Sequence, residues 1–451
     1  MSDSVTSSPK WFYVALATAG GSLNAVCCGM HYGWTSPSLV KLQAAESPIQ
    51  ITNEQGSWIA TSLFFGGIFG AIIWNLLSLK ITKRMVVLAT SIPFVVSWLL
   101  IAFVQSYPWF LVARTLAGIS VSCAYCTIPL FLGEVSGSAL RGLVISCFLL
   151  SVSLGSFFIN ILGSYVSIRS AALISLPFPL LSSCLFAFVP DSPYDLIQNK
   201  RPEDAKDSLK TFRGFDDDFE GIKTAVEQEV AGSYLDLFSV ASYRQALIIV
   251  LGVTVIYQFT GYTAFKVYLQ PIFLHIGGNE FAVALSSICF LIPIVFTSVS
   301  LGFVDCVGRK PLMIFACVIT VIALIIFATV GYLSGANQQV FVYASTAALL
   351  VYVAVFSLGF DFAPTVLMGE VFPYFLKPFA STINEVNHCF LMMITTKLFQ
   401  VLSDAFGMEA PFLLFAVCTI FAVILIIYFV PETKRRNLEE IQLLLKNTNK
   451  R

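Results

Sequence analysis

The sequence predicts an all-α membrane protein: twelve transmembrane helices in two six-helix bundles, joined by short helices that lie outside the bilayer. Three observations predict it. Of the 451 residues 57% are hydrophobic and 12% charged, against roughly 25% charged in an ordinary soluble domain, and mean hydropathy is +0.83. Apolar runs of bilayer length, about 20 residues each, fall six before and six after one polar stretch, Pro190 to Tyr243. That stretch is the one long segment in which charges and apolar residues mix, so it reads as the hinge of a duplicated membrane protein.

In chain order, Met1 to Lys10 is polar, and the apolar run that follows carries no small-residue cleavage site. An uncleaved first helix is expected rather than a signal peptide. The first six runs are 11–33, 57–79, 85–104, 109–132, 142–165 and 170–189. Within the polar stretch, Pro202 to Phe212 and Asp216 to Ala231 carry Glu, Lys and Leu at helical spacing, with Gly214 and Gly232 as stops, so two amphipathic helices are predicted. The second six runs are 244–273, 281–303, 311–332, 340–369, 379–402 and 411–430, after which Pro431 opens a charged tail. The expected division is an N-terminal bundle at 1–189, a linker at 190–243, a C-terminal bundle at 244–430 and a tail at 431–451.

An even number of spans puts both termini on one side. Lys80, Lys83, Arg84, Arg141, Arg309, Lys310, Lys377 and Lys434 to Arg436 all fall in alternate connections, whereas the opposite connections hold little beyond Lys41 and Arg169. The positive-inside rule makes the basic side cytosolic. Both termini and the polar stretch are therefore expected in the cytosol, and the plasma membrane is the expected location.

Charge and composition also exclude function classes. With 26 basic and 26 acidic residues and a formal net charge of +0, no basic field points to nucleic acid. The eleven cysteines lie almost entirely in apolar runs, where thiols act as small hydrophobes, so no disulfide framework is expected. The C-x-x-C at Cys123 and Cys126 reads as helix packing rather than redox or zinc chemistry. With only His31, His275 and His388, no nucleophile, base and orienter can be assembled at recognisable spacing. No enzyme, metal or cofactor is expected.

A weak internal repeat relates the halves. Lys83-Arg84 after the second run answers Arg309-Lys310 after the eighth. Gly133-Glu134-Val135 leads to Arg141 seven residues past the glutamate, and Gly369-Glu370-Val371 leads to Lys377 by the same seven. Two six-helix bundles with matching charge sites are the mark of alternating-access transport.

The motifs at this point are specific in their order and spacing. They are Arg114-Thr115-Leu116-Ala117-Gly118, Glu134 with Arg141-Gly142, Pro190-Asp191-Ser192-Pro193, Gln258-Phe259-Thr260-Gly261, Asp305 with Gly308-Arg309-Lys310, Gly369-Glu370-Val371-Phe372-Pro373 and Pro431-Glu432-Thr433-Lys434. Across nearly its whole length the chain resembles the sugar porters of the major facilitator superfamily, above all the arthropod facilitated trehalose transporter group. The resemblance implies that Arg114, Glu134 and Arg141 in one half, and Asp305, Arg309, Lys310, Glu370 and Lys377 in the other, sit at cytosolic helix ends and pair to hold a cytosolic gate shut. Charges buried at a closed interface must pair. The first half departs from the pattern, with Leu79 and Thr82 where an acidic residue and a glycine are usual and Lys83 for arginine. Lys377 also stands for arginine, and a lysine lacks the bidentate fork.

The family's sugar contacts carry over poorly. Gln258 and Asn387 survive, and amides suit a sugar because each can both donate and accept. Elsewhere Tyr257, Thr263, Ser357, Thr365 and His388 replace the usual groups. Ser357, Asp361 and Thr365, spaced four apart, are expected to share one face of the tenth span, with Asp361 toward the cavity. Asn384, Glu385, Asn387 and His388 cluster within about a turn of the eleventh, and ionisable groups at that depth are candidates by default. Asp361 and His388 are expected within reach of each other. Lys266 is expected near the outer end of the seventh span, snorkelling to the surface.

The function expected is facilitated transport of a neutral sugar, trehalose or a hexose, by a monomer in a lipid bilayer. The first span lacks the acidic residue that proton-coupled relatives place there, its polar residues being Asn24, His31 and uncharged ones. Two alternatives stay open: a carrier that is proton-coupled or takes another solute through Asp361 and His388, and a sugar sensor that does not transport.

Overall fold

The computed structural model describes residues 11–47, 49–78, 80–104, 106–214, 219–231, 234–333, 338–361, 367–368, 371–372, 376–430 and 432. Among the described residues, twelve helices are long and apolar enough to cross a membrane. The first six are Trp11–Gln43, Asn53–Ser78, Lys83–Phe103, Tyr107–Val135, Leu140–Tyr165 and Ile168–Ala187. The second six are Ala241–Phe259, Asn279–Ser300, Arg309–Tyr332, Gln338–Gly359, Lys377–Phe406 and Ala410–Phe429. Each overlaps an apolar run of the sequence. The end of the molecule at which the chain enters the first span and leaves the twelfth is here the entry end, and the opposite one the far end.

The main departures are breaks inside spans. The first is two helices, Trp11–Gly33 and Thr35–Gln43, meeting at Trp34. The sixth is broken at Leu176, before Pro177, whose missing N–H cannot continue the ladder. The seventh runs as Ala241–Phe259, Tyr262–Val267 and Leu269–Gly277. Its first break turns on Gly261 at φ +82°, a left-handed conformation that favours glycine. A side chain there would also meet the Phe415 ring at 2.2 Å.

Small residues let the spans approach. A Cβ on Gly118 would lie 1.9 Å from the Leu63 carbonyl oxygen, and one on Gly66 would lie 2.0 Å from that of Thr115. The second and fourth spans therefore cross backbone to backbone, as helices do where lipid supplies no hydrophobic drive between them. Cys123 Sγ donates to Gly70 O at 3.1 Å across the same contact, a packing role.

The polar stretch folds at the entry end as Pro193–Gln198, Pro202–Arg213, Phe219–Ala231 and Asp236–Ser239. The helix Pro202–Arg213 stops at Gly214, φ +82°, the left-handed cap expected of it. Leu196, Ala205, Leu209, Phe219, Ile222 and Val226 close a small core among these helices. Arg213 Nη2 donates to Glu134 O at 3.0 Å, which ties this core to the end of the fourth span.

Candidate functional site

A cavity of about 190 Å³ lies between the first six spans and the last six. The first half contributes Tyr32, Phe64, Tyr125, Ser153 and Ser156. The second contributes Thr254, Tyr257, Tyr262, Thr263, Lys266, Asp361, Asn384, Glu385 and His388. Tyr257 Oη donates to Asp361 Oδ1 at 3.0 Å, and its ring lies 5.9 Å from that of His388. Thr254 Oγ1 donates to Asn384 Oδ1 at 2.7 Å. Glu385 bridges the halves: one oxygen accepts from Ser122 Oγ at 3.0 Å, and the other lies 3.8 Å from His388 Nδ1.

Of the expected binding residues, Tyr257, Thr263, Asp361 and His388 line this cavity. Gln258 and Asn387 do not belong to its wall in this conformation. Each sits one residue from a lining residue, Tyr257 or His388, and one residue is about 100° around a helix. Both Gln258 side-chain polar atoms and Asn387 Nδ2 are buried without a hydrogen-bond partner. Thr365 lies outside the described residues.

Two expectations need correction. The tenth span ends as a helix at Gly359 and turns through Phe360 and Asp361, so Ser357 and Asp361 do not share a helical face. Ser357 is buried, with its Oγ 3.2 Å from Tyr262 Oη. Asp361 and His388 line the same cavity, with His388 Nδ1 3.8 Å from Glu385 and Asp361 accepting from Tyr257. Lys266 does not snorkel: it lines the cavity, with Nζ 4.3 Å from the Tyr262 ring centre. Counting rise along one continuous helix fails there because the seventh span breaks at Gly261. The glycine inside an apolar run was the sequence signal for that break.

Charges at the entry end form a second constellation. Lys83 Nζ contacts Glu134 Oε1 at 3.0 Å and also Asp195 Oδ1, while its backbone N–H donates to Asp195 Oδ2 at 2.7 Å. Ser192 Oγ donates to the other Glu134 oxygen at 2.5 Å. Arg141 Nε donates to Gly133 O at 3.1 Å. In the second half, Glu432 accepts from the backbone N–H groups of Arg309 at 3.2 Å and Lys310 at 3.1 Å. A carboxylate thus caps the equivalent helix start in both halves, Lys83–Phe103 and Arg309–Tyr332, where free N–H groups and the helix dipole favour an anion. Lys310 Nζ reaches Ile427 O at 2.7 Å, and Lys377 opens the eleventh span. Glu370 and the side chain of Asp305 lie outside the described residues.

Arg114 belongs elsewhere. It lies in the first two turns of Tyr107–Val135, toward the far end, fully buried, with Nη1 donating to His31 O at 2.7 Å and Nη2 to Thr35 Oγ1 at 2.8 Å. The fourth span runs from the far end to the entry end, so Arg114 and Glu134 sit at opposite ends of it. His31 itself packs against Phe94 and Trp98, at ring distances of 5.3 and 4.1 Å, away from the cavity.

At the far end the halves are joined by neutral and charged hydrogen bonds. Gln270 N donates to Ser36 Oγ at 3.0 Å, and Gln270 Nε2 to Ser164 Oγ at 2.5 Å. Asn160 Nδ2 reaches Ser286 and Ser287 at 3.2 Å, and Lys397 Nζ reaches Ser57 Oγ at 2.7 Å. These contacts hold the two halves together on that side.

Past the seventh run, His275 Nε2 lies 3.5 Å from Glu409 Oε1, which ties Leu269–Gly277 to the connection before the twelfth span. The hydrogen bond to Glu409 raises the His275 pKa above its ordinary 6.5, and the same bond lowers that of Glu409 below 4.5. A raised histidine adds stability that is complete below about 6.5 and lost as pH rises through its folded pKa; a lowered carboxylate adds stability that is lost as pH falls through its own. The tie is therefore strongest between these ranges. We expect the melting temperature of purified protein to fall from about pH 5.5 to about pH 8, and His275→Gln to flatten that slope. Parallel slopes for parent and variant would rule the tie out.

The chain matches the model of the sugar (and other) transporter family over residues 14–445. It belongs to that family. Among curated relatives it is 27% identical over 449 residues to the facilitated trehalose transporter Tret1 of Aedes aegypti, covering 97% of this chain and 56% of that protein. The Bombyx mori Tret1 is also 27% identical, with 87% of its length covered, and that of Polypedilum vanderplanki is 28% identical, with 89% covered. The chain thus spans about half the length of the first of these. Among solved structures, the proton:xylose symporter XylE bound to 6-bromo-6-deoxy-D-glucose superposes with a TM-score of 0.81 at 21% identity, covering 97% of this chain and 100% of that one. The inward open conformation of XylE from E. coli gives 0.79 at 19%, covering 96% and 99%. The fold is that of the major facilitator superfamily, and the chain is an integral, multi-pass membrane protein.

Proposed function

We propose that this member of the sugar transporter family is a facilitative carrier that moves a neutral sugar by alternating access. The observation that carries the reading is the cavity between the halves, lined by hydroxyls from both sides and by amide and charged groups from the second half, with hydrogen bonds joining the halves at the far end. Hydroxyls withdrawn from water need such donors and acceptors. The polar stretch and both termini are assigned to the cytosol on the alternation of Lys and Arg, so the far end, where the halves are hydrogen-bonded together, faces outward, and we read this conformation as inward-facing. The protein works as a monomer in the plasma membrane, its bundles at 1–189 and 244–430 rocking about the linker at 190–243, with no catalytic step.

In this reading Tyr257, Thr263, Asp361 and His388 contact the sugar, joined by Gln258 and Asn387 when the helices turn in another conformation. Glu134, Arg141, Arg309, Lys310 and Lys377, with Asp305 and Glu370, govern the cytosolic gate, while Arg114 supports the outer part of the first span. The test is counterflow in proteoliposomes with labelled glucose and labelled trehalose. Saturable exchange of one of them is expected. Exchange of neither, with folded protein in the vesicles, would sink the reading. The Glu385–His388 pair in the wall favours a second reading, proton-coupled uptake. Accumulation of sugar driven by an imposed pH gradient, rather than exchange alone, would select it.

A further inference from the structure

We propose that Lys266, with Asp361 as its counter-charge, is the specificity-determining donor to the substrate's hydroxyls. The inference rests on the sugar-carrier reading and deepens it. Lys266 sits in the short helix Tyr262–Val267, which restarts after the Gly261 turn. That turn swings its side chain into the central cavity. There the ammonium lies over the Tyr262 ring, 4.3 Å from its centre, and makes no hydrogen bond or ion pair with any described residue. An ammonium has three donors, and a ring face satisfies none of them as a hydrogen-bond acceptor would.

Asp361 in the same wall is the complement. Tyr257 Oη donates to one of its oxygens, and no described residue donates to the other. A sugar hydroxyl both donates and accepts, so a pair of neighbouring hydroxyls can accept from Lys266 and donate to Asp361 at once. Hydrogen bonds to charged groups are the stronger kind. The other charged groups of the wall are already engaged, Glu385 by Ser122 and His388. Lys266 and Asp361 carry opposite charges, so the two together suit a neutral, hydroxyl-rich solute. At about 190 Å³ the cavity is smaller than the roughly 300–1,000 Å³ of drug-sized sites, so one hexose unit is what it encloses in this conformation.

The test uses full-length protein in proteoliposomes, with whichever of labelled glucose or trehalose the parent carries. The four deoxyglucoses lacking the 2-, 3-, 4- or 6-hydroxyl serve as competitors. For Lys266→Met we expect KM to rise about 10- to 100-fold at an equal amount of monodisperse protein. We also expect one deoxyglucose that competes poorly in the parent to lose that handicap in the variant, since the hydroxyl it lacks no longer has its donor. A purely structural lysine would leave the deoxy pattern unchanged. A KM within about twofold of the parent, or an unchanged pattern, overturns the proposal. Should Lys266→Met fail to fold, Lys266→Arg keeps the charge but moves the donors, and an unchanged deoxy pattern in that variant overturns it equally. A parent that carries neither sugar removes the carrier reading itself, whereas the Lys266 outcomes leave that reading standing.

Discussion

Lys83→Met is expected to destabilise the folded protein by roughly 3–5 kcal/mol, the cost of taking the shared cation out of a buried ion-pair cluster. Lys83 is the shared counter-ion of Glu134 and Asp195, whose side chains are 4% and 5% exposed. Without it two carboxylates remain close together and out of water. Around the ion pairs, Asp195 also takes the backbone N–H of residue 83 at 2.7 Å, and Arg84 holds Ala187 O at 2.6 Å at the end of the sixth span, two bonds that the variant keeps. One cluster thus fastens the third, fourth and sixth spans to the linker helices. A melting temperature in detergent is the measurement, and Lys83→Met with Asp195→Asn should recover part of the loss by removing one stranded charge. A single variant that melts with the parent would mean that the cluster contributes nothing.

Arg114→Met is expected to cost roughly 1–3 kcal/mol for each buried acceptor it leaves unsatisfied, and to abolish transport. Arg114 is fully buried, and its guanidinium reaches across to the break in the first span. It donates to His31 O and Thr35 Oγ1 and lies 5.1 Å from the centre of the Trp34 ring. Beside the break at Trp34 the planar fork serves one backbone acceptor, His31 O, and one side-chain acceptor, Thr35 Oγ1, at once. Methionine fills similar volume and donates nothing. Arg114→Lys should fall between, since one ammonium cannot reproduce both bonds in the same plane. Counterflow rates and melting temperatures of the three proteins rank these outcomes; parent-like values for the methionine variant would show that the first span holds its break without the arginine.

Membrane architecture was legible because its determinants are local. A bilayer-length apolar run is a property of about 20 consecutive residues, and all twelve runs appear as spans. The linker helix stopped by Gly214 was legible for the same reason: its cap is written in one residue. The binding residues were legible only in part. Asp361, His388, Tyr257 and Thr263 line the cavity, while Gln258 and Asn387, the two clean matches to the family pattern, are turned away from it. Composition and motif order by themselves determined the class of the protein, the number of spans and the kind of polar group near the middle of the seventh, tenth and eleventh. Which of those groups meet was decided by tertiary structure. Rotation of about 100° per residue, and breaks at Trp34, Leu176 and Gly261, set where a side chain points, and these follow from how each helix packs on the next. Lys266 is the clearest case: along an unbroken helix it would reach the surface, and after a single left-handed glycine held against Phe415 it faces the cavity.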